Sequence, residues 1–92
     1  MKIVRAVVTG KVQGVWFRAW TVKEAQKRNL HGWVQNLQDG SVEALFAGDP
    51  AMVDAMVTAC HQGPPLAKVA NVAVSDATGE AIPDGFIQRG AD

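Results

Sequence analysis

The chain predicts an α+β fold, a sandwich in which two helices cover one face of an antiparallel sheet, and three observations carry that expectation. Runs of β-branched and apolar residues alternate with helical patterns in the order βαββαβ, with one more short run near the end. Glycine, proline and aspartate clusters punctuate the joints between them. With 92 residues, 48% hydrophobic and 20% charged, the chain has enough material for one modest core, so residues 1–92 read as a single domain. This order is the split βαβ, or ferredoxin-like, arrangement, with the first and third strands at the centre of the sheet and a short fifth strand possible at an edge.

The first strand is Ile3 to Thr9, where Val4, Ala6 and Val8 form a uniform apolar face opposite Arg5 and Thr9. Gly10 to Val15 reads as a loop, and a helix begins at Phe17 or Arg18. Val22, Ala25 and Asn29 fall on the Arg18 stripe of that helix, which predicts an Arg18 stem lying toward the sheet. Leu30 and Gly32 close it. Trp33 to Leu37 and Ser41 to Ala47 then form a hairpin joined by Gln38-Asp39-Gly40. Asp49-Pro50 supplies an N-cap and a first-turn proline for a second helix, in which Met52, Val53, Met56, Val57 and Cys60 recur at helical spacing up to Gly63. After Gly63-Pro64-Pro65, Val69 to Val74 reads as the fourth strand, Ser75 to Gly85 as a loop, and Phe86 to Arg89 as a short last strand.

The 9 basic and 9 acidic residues cancel, so the total charge argues for neither a nucleic-acid nor a membrane partner. Their distribution is uneven. Seven basic residues (Lys2, Arg5, Lys11, Arg18, Lys23, Lys27, Arg28) precede Leu37 against the single acid Glu24, whereas the remainder is acidic, which directs any anionic ligand to the N-terminal third. Cys60 has no partner for an intrachain disulfide, which fits a reducing compartment. Neither a signal-peptide apolar region nor a membrane-length apolar run is present, so the expectation is a soluble cytoplasmic protein.

The chemistry concentrates in Gly10-Lys11-Val12-Gln13-Gly14-Val15-Trp16-Phe17-Arg18, a glycine-bearing loop that feeds a strand into a helix N-terminus. Such a junction offers unpaired backbone N–H groups at the positive end of the helix dipole, and Arg18 adds a forked donor suited to a tetrahedral oxyanion. Phosphate is the natural occupant. The Gly-Lys-Ser/Thr ending of a nucleotide P-loop and the spacing of a dinucleotide site are both missing, which argues against ATP or NAD as cofactor.

Gly10-x-Val12-Gln13-Gly14-Val15-x-Phe17-Arg18, together with Gly32-Trp33-Val34-Gln35-Asn36 and Asp39-Gly40-Ser41-Val42-Glu43, resembles the signature of the acylphosphatase family over nearly the whole chain. The resemblance implies metal-free, cofactor-free hydrolysis of acyl phosphates to a carboxylate and inorganic phosphate. It further implies that backbone amides from Gln13, Gly14, Val15, Trp16, Phe17 and Arg18 hold the phosphoryl group with the Arg18 side chain, while Asn36 orients the attacking water. Two positions depart from the family pattern: Leu37 stands where some members carry a small hydroxyl residue, and Phe86-Ile87-Gln88-Arg89 stands in place of Phe-x-Ile-Arg, which turns the isoleucine to the other face of a strand.

Other candidates have plainer readings. His31 and His61 lack metal-spaced partners, and Cys60 with Met52 and Met56 forms an apolar helix stripe. Lys11 reads as solvated and Asp39 as part of the hairpin turn. Trp16 stands at the mouth of the loop, free either to stack on an acyl group or to pack on Trp20 or Trp33, and packing is the more ordinary fate. Two other functions stay open from sequence: a phosphate-binding module without turnover, and an RNA-binding sheet, which the lack of aromatics in Ile3 to Thr9 disfavours. No exposed apolar helix face is obvious, so a monomer is expected.

Overall fold

A computed structural model describes residues 1–90. Its elements are β1 (Lys2–Lys11), α1 (Phe17–Lys27), β2 (His31–Asn36), β3 (Val42–Gly48), α2 (Pro50–Cys60), β4 (Lys68–Asp76) and β5 (Phe86–Gln88). The sheet order is β4-β1-β3-β2-β5, so the first and third strands lie inside the sheet as the element order requires. The short fifth strand forms, but it runs parallel to β2 on an otherwise antiparallel sheet, with Phe86 beside Gly32 and Gln88 beside Val34.

Alternation decides which residues meet the helices. Val4, Ala6 and Val8 of β1 face Phe46, Ala44 and Val42 of β3, and these in turn face Gly32, Val34 and Asn36 of β2. That row is the floor of the core, onto which Phe17 and Ala25 of α1 and Val53, Met56 and Cys60 of α2 pack, all buried. Phe86 extends the floor by stacking on Phe46 with ring centroids 5.6 Å apart. The thiol of Cys60, which the apolar stripe places inside, is pushed up to about 12 by burial and is inert at neutral pH.

Several element boundaries differ from the sequence reading. β1 continues through Gly10 to Lys11, because a bulge at Thr9/Gly10 lets the ladder to β4 resume at Val69. α1 ends at Lys27, short of Leu30, since Asn29 adopts φ 55° and closes a Schellman cap: Leu30 N–H donates to Ala25 O and Asn29 N–H to Gln26 O. Asn29 therefore lies outside the helix, and the buried stripe is Phe17, Thr21 and Ala25, not the Arg18 stripe. The sheet-facing residues of α1 are one position away from those the periodicity suggests. Gly32 sits at φ 138° under the β3 backbone, where a Cβ would lie 1.8 Å from the Leu45 carbonyl oxygen, so no other residue fits that crossing.

Part of the charge asymmetry is taken up in ion pairs. Lys2 pairs with Asp54 and Arg5 with Glu43 and Glu80 across the chain, while Lys27 and Arg28 pair with Glu24 within and just beyond α1, so ion pairs spread part of the excess over several separate places. Among the described residues no helix is long and apolar enough to cross a membrane.

Candidate active site

Strand direction gathers the site. β1 and β2 both run antiparallel to β3, and β5 runs parallel to β2, so the C-terminal ends of all three lie at one end of the sheet. Val42 of β3 is flanked there by Val8 of β1 and Asn36 of β2. The β1–α1 loop leaves from this end and returns as α1. Between them lies a cleft of about 420 Å³ lined by Val12, Gln13, Gly14, Trp16, Phe17, Arg18, Ala19, Asn36 and Gln88.

The loop backbone is shaped for an anion. Gly14 at φ 75° and Trp16 at φ 68° place left-handed residues on either side of Val15, the kind of turn in which successive N–H groups converge. None of the N–H groups of Gly14, Val15, Trp16 and Phe17 donates to an acceptor among the described residues. The two helices contrast sharply here. Asp49 caps α2 by accepting from Ala51 N–H at 2.9 Å, whereas Trp16 provides α1 with no side-chain cap and the first turn holds no acid. Among the described residues, then, no side chain caps the positive end of α1, the end of a helix that favours an anion.

Arg18 occupies the first turn of α1, half-buried, and its Nη1 donates to the Arg89 carbonyl oxygen at 3.1 Å. It is not on the buried, sheet-facing stripe where the periodicity puts it; its guanidinium reaches the β5 edge, held by the residue that follows the strand, which its place in the sequence does not connect with the site. Asn36 ends β2 and faces the helix side, in line with Val34. Gln13 does more than offer its amide. Its Nε2 donates to the carbonyl oxygens of Leu37 and Ser41, both at 2.8 Å, which ties the loop to the base of the β2–β3 hairpin immediately after Asn36. Asp39 stabilises that hairpin by accepting from Ser41 N–H at 2.9 Å and Ser41 Oγ at 2.5 Å, and these bonds hold its carboxyl below the usual carboxylate range. Leu37 enters this bracing through its backbone, donating to Ser41 O and accepting from Gln13 and Gly40, so its side chain is not part of it.

Of the loop residues singled out from sequence, Gln13, Gly14, Trp16, Phe17 and Arg18 line the cleft together with Asn36. Val15 does not: its side chain is buried in the core, leaving only its N–H for the site. Gln88, Val12 and Ala19 line the cleft without having been singled out. Gln88 had one signal, the displaced isoleucine: Ile87 points to the open face of the sheet beside Trp33, so Gln88 faces the cleft side. His31 is occupied structurally, its Nδ1 accepting from Gly85 N–H at 2.8 Å, and Lys11 lies exposed outside the cleft.

The family model for acylphosphatase matches residues 4–87. The chain belongs to the acylphosphatase family. An acylphosphatase of Rhodospirillum rubrum is 50% identical over 91 residues, covering 97% of each chain. The crystal structure of the Bacillus subtilis acylphosphatase superposes with a TM-score of 0.93 at 37% identity, covering 98% of this chain and all of that one. The chain also superposes on part of the crystal structure of T. kodakarensis HypF, with a TM-score of 0.85 at 28% identity, covering 99% of this chain and 12% of that one. The ferredoxin-like architecture expected from element order is therefore the architecture of the acylphosphatases, fifth strand included.

Proposed function

We propose that the protein hydrolyses the carboxyl–phosphate bond of acyl phosphates at the cleft between the β1–α1 loop and the end of β2. The observation that carries this reading is the convergence of an uncapped helix N-terminus, Arg18 and Asn36 on one cleft. The N–H groups from Gln13 to Arg18 and the Arg18 guanidinium hold the phosphoryl oxygens and offset the charge that grows on them in the transition state. Asn36 accepts a hydrogen bond from water and aims it at phosphorus. Because its carboxamide is neutral, it does so without repelling a dianionic phosphoryl group as a carboxylate would.

The water oxygen forms the new P–O bond as the bridging P–O bond breaks, and the electron pair departs with the acyl oxygen as a carboxylate. Its conjugate acid has a pKa of about 4, so it leaves without a general acid. The proton released by water ends on the phosphate product. Positioning and charge stabilisation are sufficient for this loose phosphoryl transfer, so the site needs neither cofactor nor metal.

Steady-state hydrolysis of benzoyl phosphate with excess chelator tests the proposal. Turnover that persists in chelator is the expected result, and a folded chain that binds inorganic phosphate yet turns nothing over would leave the binding-module reading standing. Gln13→Ala is expected to reduce kcat/KM about tenfold and stability by about 1 kcal/mol, because the lost bonds brace the loop against the hairpin next to Asn36. Urea unfolding read alongside the assay separates the two effects. A buried, unpaired cysteine supports a reducing, cytoplasmic setting. The exposed Val74 and Ile87 lie on strands at opposite edges of the sheet, which supports a monomer acting on a small substrate.

A further inference from the structure

Trp16 exposes more apolar surface than its place in the fold requires. The residue is 78% exposed, which forgoes the burial that stabilises an indole elsewhere. Its backbone is left-handed at φ 68°, a strained conformation for a bulky residue. The loop needs that angle but not that side chain, since glycine or asparagine adopts it more readily. The packing expected from sequence does not occur on either proposed partner. Trp20 is turned to Phe17, ring centroids 5.3 Å apart, and Trp33 lies on the opposite face of the sheet, beneath the Arg89 guanidinium at 4.6 Å. Trp16 instead lines the cleft.

The direction of the reaction supplies an occupant. In an in-line displacement the attacking water and the leaving carboxylate lie on opposite sides of phosphorus. Asn36 is a strand residue, so water held there approaches from the sheet side and the acyl group projects away from it, toward the exposed mouth of the cleft where Trp16 stands. Resting on the function proposed above, we propose that Trp16 is a specificity-determining residue: its indole supports the acyl group and biases the enzyme toward acyl phosphates bearing aromatic or extended apolar groups. An aryl ring stacks on the indole, while a two-carbon acetyl group covers little of it.

The test is the ratio of kcat/KM for benzoyl phosphate to that for acetyl phosphate in wild type, Trp16→Phe, Trp16→Ala and Trp16→Asn. Taking the ratio within one variant cancels any general weakening of the loop, and asparagine tolerates the left-handed backbone should the alanine variant fail to fold. The ratio is expected to fall about five- to tenfold in the alanine and asparagine variants, through KM for benzoyl phosphate, and to stay within about twofold of wild type in Trp16→Phe. An unchanged ratio in the truncations, or a Trp16→Phe ratio as low as theirs, overturns the assignment of Trp16 alone. A wild type that hydrolyses neither substrate overturns the proposed function and this inference with it.

Discussion

Arg18→Ala is expected to lower kcat/KM for benzoyl phosphate by about a thousandfold or more, about 4 kcal/mol of transition-state stabilisation. The guanidinium lies in the first turn of α1, which holds no acid and no side-chain cap, so under the proposed function its charge and the helix N–H groups act on the same oxygens. Weaker inhibition by inorganic phosphate should accompany the loss, because Arg18 binds the ground state as well. Arg18→Lys is expected to recover little: a single ammonium cannot reproduce the planar fork that spans two phosphoryl oxygens while its Nη1 is held by the Arg89 carbonyl. The fold should survive either change, since the Arg18 side chain is outside the core, and a thermal melt within a few degrees of wild type is the control. Near-wild-type turnover by Arg18→Ala would remove the phosphoryl site from this cleft.

Asn36→Ala separates binding from chemistry. The loop amides and Arg18 are untouched, so the Kd for phosphate is expected to stay within about threefold while kcat falls about a hundredfold, the scale associated with losing one positioned group next to the nucleophile. Asn36→Asp offers a sharper contrast. Its carboxylate could still accept from water but would stand beside the phosphoryl dianion, so it is expected to raise KM as well as lower kcat. Isothermal titration with phosphate beside the steady-state assay reads both quantities. A parallel loss of phosphate binding and turnover in Asn36→Ala would make Asn36 a phosphate ligand and leave the water without this partner.

Much of this was legible in one dimension because it depends on local rules. Two periodicities, 2 for strands and 3.6 for helices, marked Val4, Ala6 and Val8 as one face and Met52, Val53, Met56, Val57 and Cys60 as another; all are buried in the structure except Val57, which is half-buried, and Met52, which lies on the exposed side of α2. Asp49-Pro50 foretold the start of α2, since capping involves only neighbouring residues. The uncapped start of α1 after Gly14 was legible for the same reason, as a helix N-terminus needs no distant contact to expose its N–H groups. Local rules also set the errors. The end of α1 moved to Lys27 because Asn29, not a glycine, took the left-handed cap, and the Arg18 stripe moved with it.

Distance in the chain hid the rest. The Gln13 strut to Leu37 and Ser41 and the Arg18 bond to the Arg89 carbonyl join segments 24 to 71 positions apart, and nothing in the residue types announces such partners. Lys2 and Arg5 of the basic N-terminal third pair with acids elsewhere, because such distant charges find one another only after the sheet is assembled. Local sequence by itself determined the strand and helix patterns and the chemistry of the loop. Tertiary structure alone decided that three strand ends meet at that loop, that Gln88 faces the cleft, and that Trp16 stands unpacked at its mouth, since burial and strand direction are properties of the assembled sheet.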